Sequence, residues 1–195
     1  MKEIFKHPRF LGSALCHSLT YGLMYAYITL FPFLLIEIFH EKNPALVGIY
    51  SAYMIAFYLL GAFFASRLVL RWTTQKMAGI GIALQILSGV LLMAVPPFLF
   101  IPALFLFNVS LGIILPTTSA IALAPFAGKA VGAASSSLGL SYRLIGSIIS
   151  TLICQLPLAG GRSLAAAILL LSGVSLAIYL TKVQNATEVP ANASF

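Results

Sequence analysis

The sequence contains very little charge. Lysine, arginine, aspartate and glutamate together make up 8% of its 195 residues, whereas soluble domains carry about 25%. Hydrophobic residues make up 61%, and the mean hydropathy is +1.04. A composition this poor in charge excludes an ordinary water-facing surface, so we expect the chain to lie in a lipid bilayer.

Acidic residues are the scarcest charged class, with four Asp and Glu against eleven Lys and Arg, and the formal net charge is +7. A basic chain can bind nucleic acid, but here the basic residues lie between long apolar runs instead of forming a patch. That distribution is typical of membrane topology. Nucleic acid is therefore not an expected partner.

Motifs of soluble enzymes and metal sites are also missing. Both cysteines, Cys16 and Cys154, lie inside apolar runs, where we expect them to be small buried hydrophobes. The sequence has no zinc spacing, no nucleophile elbow, no P-loop and no intramembrane pair of acids or histidines. We therefore expect no enzyme activity, no metal site and no cofactor.

Six apolar segments are long enough to span a bilayer, which takes about 20 residues. They comprise residues 10–39, 45–66, 77–95, 98–125, 130–155 and 163–181. The pattern predicts an all-α membrane protein with an N-terminus at 1–9, a transmembrane domain at 10–181 and a disordered polar tail at 182–195. The basic N-terminus resembles a signal peptide, but the apolar run behind it is too long, so it is interpreted as a retained first span.

The basic residues predict the orientation. One side of the membrane would hold eight of them: Lys2, Lys6, Arg9, Arg67, Arg71, Lys76, Lys129 and Lys182. The other side would hold only Lys42 and Arg162. By the positive-inside rule, both termini should be cytoplasmic.

A weak internal repeat divides the six segments into two groups of three. Residues 59–66 resemble residues 144–151, and Pro32 and Pro116 have nearly the same offset. Two such units would form a 3+3 inverted repeat, as in many secondary transporters. The alternative is that short runs of small apolar residues recur by chance in any membrane protein.

Arg143 is the sharpest functional signal, because it lies halfway along the fifth segment, where an arginine costs at least about 2.5 kcal/mol. Its partner would be water in a cavity, a backbone carbonyl, an anionic substrate group or a carboxylate of another chain. The alternative is an arginine that snorkels along a tilted helix.

Other candidate pathway residues lie on the first and fourth segments. His17, Tyr21 and Tyr25 follow an i, i+4, i+8 spacing and so share one helix face. Asn108 lies on the fourth segment, which Pro116 should break. Together with Arg143, these residues form the predicted substrate pathway, although helix packing and interfacial tyrosines offer an equally ordinary explanation.

Small residues mark the predicted contacts between helices. Gly61, Gly132, Ser136 and Gly146 lie in runs of Gly, Ala and Ser, which permit close helix approach. We expect them in helix packing or at an interface between two halves of a larger transporter.

Two groups of residues follow a family pattern. The first comprises residues 31–37, Asn43, Pro44, Gly48 and Gly61; the second comprises residues 107–112, Pro116, 122–126, Gly128 and 132–135. They resemble the seventh and eighth, and the tenth and eleventh, helices of Bcr/CflA-type multidrug efflux transporters, which are drug:proton antiporters of the major facilitator superfamily. Arg143 matches no motif of that family.

The resemblance implies one half of a major facilitator fold in a bacterial inner (plasma) membrane. Segments one and four would line the cavity, two and five would face the other half, and three and six would be peripheral. The implied partners are the lipid bilayer, a small amphipathic drug-like substrate, the proton and a second six-helix half. Such transporters generally hold the proton-coupling carboxylate in the N-terminal half, which this sequence lacks.

The expected function is therefore that of the C-terminal half of a proton-coupled multidrug efflux transporter, incomplete alone. One alternative is a self-sufficient homodimeric transporter. Another is a membrane-embedded assembly subunit that does not transport.

Overall fold

A computed structural model describes residues 7–40, 43–94, 99–126, 130–157 and 161–184. It contains six helices long and apolar enough to cross a membrane, and the described ranges contain no β-strand. The predicted class of an all-α, multi-pass membrane protein is thus confirmed. Some predicted loop and terminal residues lie outside the described part: 1–6, 41–42, 95–98, 127–129, 158–160 and 185–195.

Each of the six helices begins and ends within three residues of its predicted segment. They are α1 Pro8–Phe39, α2 Pro44–Leu68, α3 Thr74–Ala94, α4 Phe100–Leu123, α5 Val131–Cys154 and α6 Arg162–Ile178. A 3₁₀ turn, Ala124–Phe126, extends α4, and a π-helical turn, Tyr179–Gln184, extends α6.

Local chemistry explains where the first two helices begin and end. Proline occupies the start of α1 and of α2. The first N–H groups of a helix have no partner within the helix, so proline loses no hydrogen bond there, and its φ is already helical. The Asn43 side chain accepts a hydrogen bond from the Ala45 N–H at 3.0 Å and so caps α2. His40 ends α1 in the left-handed conformation, with φ of 54°.

The prediction that Pro116 breaks the fourth span is wrong, because α4 continues to Leu123. Two hydroxyls donate to backbone carbonyls beside the proline: Thr117 to Ile113 and Thr118 to Ile114, each at 2.7 Å. Neither carbonyl is the one that Pro116 leaves without an amide partner, which is that of Gly112, so these hydroxyls do not replace the missing bond.

The sixth span also continues past its predicted end, since the π-helical turn includes residues 182–184, which were assigned to the tail. The Tyr179 hydroxyl donates to the Gln75 carbonyl at 2.9 Å and so joins this turn to the start of α3. A Cβ added to Gly12 would lie 2.7 Å from the Lys182 Cβ. The start of α1 and the end of α6 therefore lie at the same end of the bundle.

Helices α1 and α4 form the centre of the bundle. α1 packs on α4, α5 and α6, whereas α4 packs on α1, α2 and α3. α3 and α6 also pack on each other, while α2 packs chiefly on α4 and α5 chiefly on α1. The main core lies between these elements and includes Leu23, Leu34, Phe107, Leu111 and Ile168, each at most 1% exposed.

Two glycine pairs set the closest helix crossings. A Cβ on Gly61 would overlap the Val109 carbonyl, and one on Gly112 would overlap the Tyr58 carbonyl, so α2 and α4 meet backbone to backbone. A Cβ on Gly22 of α1 would lie 2.7 Å from Ile149 of α5. Small residues permit such close approach in membranes, where packing replaces the hydrophobic effect as the driving force.

The two crossings correspond in part. Gly61 of α2 and Gly146 of α5 hold the same place in the repeated segments, and each helix crosses a central helix near the middle of that helix. The prolines do not correspond in this way. Pro32 follows Gly22 by ten residues, whereas Pro116 follows Gly112 by four.

The α2–α4 crossing leads to a stability prediction. Gly112→Ala should lower the free energy of unfolding by about 1–3 kcal/mol, because the new methyl group has no room. Gly173→Ala on α6 is the matched control, since a Cβ there meets nothing within 4 Å; it should be neutral or stabilise by up to about 1 kcal/mol. Reversible unfolding in detergent micelles measures both, and equal effects would contradict the role of the crossing.

Candidate functional site

An aromatic row joins α1 to α5. His17 lies 5.7 Å from Tyr21, and Tyr21 lies 4.8 Å from Tyr25, between ring centroids. Tyr142 of α5 lies 4.4 Å from Tyr21 and 5.0 Å from His17. We define these four residues as the aromatic row. The helical spacing read from the sequence thus places three predicted pathway residues together, with a fourth ring from another helix.

The glycine crossing of α1 and α5 positions this row. Gly22 and Gly146 pack against each other directly beside Tyr21, and Phe10 and Leu138 pack near the start of both helices. The two helices therefore run parallel. Because backbone separation is smallest at the crossing, aromatic side chains one turn away meet across the interface.

His17 joins α1 to α4. Its Nδ1 lies 2.9 Å from the Thr118 hydroxyl, and that hydroxyl donates to the Ile114 carbonyl at 2.7 Å. This hydrogen bond holds His17 between α1 and α4.

Arg143 lies next to the row at the middle of α5. Its side chain is exposed, and its guanidinium carbon lies 6.0 Å from the Tyr142 ring centroid, at the outer limit of a cation–π contact. Glu37 is the only acidic residue in the described ranges. It lies sixteen residues beyond Tyr21, or about 24 Å along the helix axis, so no described carboxylate neutralises Arg143.

Polar and small residues continue above and below Arg143 on one side of α5. We define Gly132, Ser136, Gly139, Arg143 and Ser147 as the polar stripe. At 3.6 residues per turn they fall within a sector of about 80°, and all but the half-buried Gly139 are exposed.

The next sector of α5 is mostly apolar and also exposed, and it contains Leu140, Leu144, Ile148 and Leu152, together with one exposed hydroxyl, that of Thr151. The helix therefore has separate packing, apolar and polar sides. Only the apolar side has the composition of a surface in contact with lipid tails.

Asn108 lies apart from the aromatic row. It is buried, and its amide donates to the Leu104 carbonyl at 2.9 Å and to the Met54 sulfur at 3.4 Å. Those contacts place Asn108 between α4 and α2, and a side-chain hydrogen bond to Tyr27 also joins it to α1. The structure thus brings together His17, Tyr21, Tyr25 and Arg143 of the predicted pathway and leaves Asn108 in a separate packing interface.

The predicted packing residues also fall into two groups. Gly61 and Gly146 lie in the tight crossings. Gly132 and Ser136 lie on the exposed polar stripe, where a Cβ on Gly132 meets nothing within 4 Å. Within the described residues, these two do not pack on another helix, and their predicted place at an interface between halves stays a prediction.

Two features are not evident from the sequence. Tyr142 belongs to the aromatic row, and in the sequence only its position beside Arg143 points to it. A polar layer of Thr20, Gln85 and Ser172 is fully buried on α1, α3 and α6, and these side chains lack a hydrogen-bond partner among the described residues.

The helix registers place this polar layer at one depth. Gly89 of α3 approaches Leu169 of α6, and Gly79 approaches Tyr179, so Gln85 lies level with Ser172. Cys16 of α1 donates to the Ser175 carbonyl at 3.4 Å, one turn from Thr20.

One cleft lies away from the aromatic row. It measures about 720 Å³ and is lined by the start of α1, the start of α3 and the end of α4, including His7, Arg9, Thr74 and Pro125. Burial, and then the nearby Arg9 guanidinium, lowers the pKa of His7. No group of three His, Cys, Asp or Glu side chains suited to a metal occurs among the described residues.

Comparisons with protein families, with curated proteins and with solved structures returned no match. The resemblance to Bcr/CflA-type transporters therefore rests on the quoted sequence residues alone.

The His17–Thr118 hydrogen bond leads to a second prediction. Thr118→Val should destabilise the chain by about 0.5–1.5 kcal/mol, the range of interhelical hydrogen bonds in membranes. Thr117→Val is the matched control, because the Thr117 hydroxyl bonds only to carbonyls of its own helix.

A double-mutant cycle with His17→Phe isolates the pair, since the effect of Thr118→Val should then fall to that of Thr117→Val, which removes only bonds within α4. An unchanged effect in the His17→Phe background would show that the bond contributes nothing.

Proposed function

We propose that the chain is the C-terminal half of a proton-coupled multidrug efflux transporter of the major facilitator type. It would work with a second six-helix half, which is either a separate chain or another copy. The substrate pathway would lie between the halves and would include the aromatic row and Arg143. The proposed location is the bacterial inner membrane, with both termini in the cytoplasm.

The observation that carries this proposal is Arg143 on an exposed side of a spanning helix. A lipid-facing arginine at mid-span costs about 2.5–3.5 kcal/mol, and polar residues at that depth normally face a bundle interior or a water-filled cavity. Arg143 has polar or small neighbours one turn away in both directions along α5, Gly139 and Ser147. A hydrated space between two halves accounts for the whole stripe, whereas a snorkelling side chain accounts only for Arg143.

The arrangement of helices also supports a 3+3 inverted repeat. If α1, α2 and α3 exchange places with α4, α5 and α6, the packing of α5 on α1 corresponds to that of α2 on α4. The packing of α6 on α1 likewise corresponds to that of α3 on α4. Inverted repeats in secondary transporters provide two related packings around one central site.

The outer surfaces of α2 and α5 favour a missing partner. These are the least buried spans. In the most apolar 18-residue stretch of each helix, 11% of the residues of α2 and 22% of the residues of α5 are buried. Each packs on one central helix and leaves large side chains exposed, such as Phe63 and Phe64 on α2. A second half would cover the polar side of α5 together with part of α2.

Proton coupling is assigned to that second half. Efflux driven by protons needs a group that binds and releases them within the bilayer, and carboxylates are the common choice. The described spans hold only Glu37, at the far end of α1. The coupling carboxylate would therefore lie on a partner of different sequence, since another copy of this chain would bring no further acidic residue to the centre of the bilayer.

Native mass spectrometry of the chain, extracted from its own membranes in mild detergent, tests the partnership. We expect a complex with a different six-helix chain, and we expect the isolated chain to show no efflux in proteoliposomes. A homodimer that exports drugs would instead establish the self-sufficient transporter. A bare monomer that transports would contradict the proposal.

Substitution of Arg143 tests the pathway in the complete complex. Arg143→Leu should reduce efflux at least tenfold without dissociating the complex. The matched control is Arg71→Leu, because Arg71 is an exposed cation of the α2–α3 connection, outside the spans, and its loss should leave efflux within twofold. If the parent complex shows no efflux and Arg143→Leu dissociates it, the result would instead support a non-transporting assembly subunit.

A further inference from the structure

The proposed transport function leaves the chemical class of the substrate open, and the charge and ring chemistry of the site narrow it. We infer that the half-site formed by Arg143, Tyr142 and the α1 rings binds an aromatic organic anion, with its carboxylate or sulfonate at Arg143. That the ligand is transported rests on the proposed function, but its binding can be measured separately.

Charge is the first argument. Arg143 is the only basic residue in the central part of the described spans, and the single described acid, Glu37, lies about 24 Å away along α1. An uncompensated arginine attracts an anion and repels a cation. A guanidinium also binds carboxylate and sulfonate groups through paired N–H donors.

The geometry of the rings is the second argument. Tyr142 lies between Arg143 and α1, with its ring 4.4 Å from Tyr21 and 5.0 Å from His17. Tyr25 meets Tyr21 edge to face at 4.8 Å. A planar ligand with its acid group at Arg143 would place its ring over Tyr142 and Tyr21, in the offset or tilted stacking that aromatic groups prefer.

The hydroxyls beside Arg143 are the third argument. Ser147 donates its proton to the Arg143 carbonyl at 2.6 Å, and Ser136 donates to the Gly132 carbonyl at 2.9 Å. Because both protons are used within α5, these hydroxyls offer no free donor to an anion. Within the polar stripe, Arg143 is therefore the group that can hold the anion, and loss of this one charge should remove the preference for an anion over a cation.

Three probes with the same ring test the inference: naphthalene-2-sulfonate, neutral naphthalene-2-sulfonamide and cationic 2-naphthyltrimethylammonium. Equilibrium dialysis would measure their binding to the full chain in phosphatidylcholine nanodiscs, with empty nanodiscs as the blank. We expect the sulfonate to bind at least tenfold more tightly than the cation. Equal binding of the two, or tighter binding of the cation, would overturn the inference.

Variants then locate the binding. Arg143→Gln should weaken sulfonate binding at least tenfold and change sulfonamide binding less than threefold, whereas Arg143→Lys should retain part of the preference. Tyr142→Leu should weaken all three probes alike, and Arg71→Gln is the charge-matched control. Sulfonate binding that is unaffected by Arg143→Gln would overturn the assignment of the anion to Arg143.

The complete complex separates this inference from the proposed function. Transport of the cationic probe without the sulfonate would overturn the substrate class while leaving transport intact. Sulfonate binding that depends on Arg143, without transport of any probe, would support the anion site and overturn the proposed function. An anion preference that disappears once the second half binds would assign Arg143 to a carboxylate of that half and overturn the inference.

Discussion

The contact between Gly22 and Gly146 is the constraint on which the candidate site depends. Without a side chain on either residue, α1 and α5 approach closely enough for Tyr142 to reach both Tyr21 and His17. The same contact fixes the rotation of α5, because one side of the helix must face α1. Arg143, about 100° around the helix from Tyr142, is thereby directed away from the core and beside the aromatic row. A single backbone contact thus sets both the ring cluster and the position of the charge.

Membrane physics explains why polar groups are distributed so unevenly. A buried polar side chain without a partner costs free energy, yet Thr20, Gln85 and Ser172 lie inside the bundle at one depth. These groups are neutral, whereas Arg143 is charged, has no described counter-charge and lies on the open side. The neutral polar layer is therefore buried within this bundle, whereas the charged Arg143 faces the surroundings of α5.

Much of the fold could be predicted from the sequence, because length and hydropathy determine spans almost independently of tertiary contacts. The i, i+4, i+8 spacing also placed His17, Tyr21 and Tyr25 on one face correctly. The surroundings of Asn108 and the effect of Pro116 on its helix could not be predicted from the sequence. Whether a polar residue faces a cavity or a neighbouring helix depends on helix rotation, and whether a proline interrupts a span depends on the groups that surround the helix there. Neither property follows from periodicity.

The most direct test of the account is the environment of α5 in the native membrane. Single cysteines at Ser136 and Ser147 of the polar stripe, and at Leu140 and Ile148 of the apolar side, would be introduced after Cys16 and Cys154 are replaced by alanine. The account predicts that a charged, membrane-impermeant thiol reagent labels the two stripe positions and spares the two apolar ones. Protection of all four positions, with labelling only by a lipid-soluble reagent, would place the stripe in lipid and contradict a water-filled path beside Arg143.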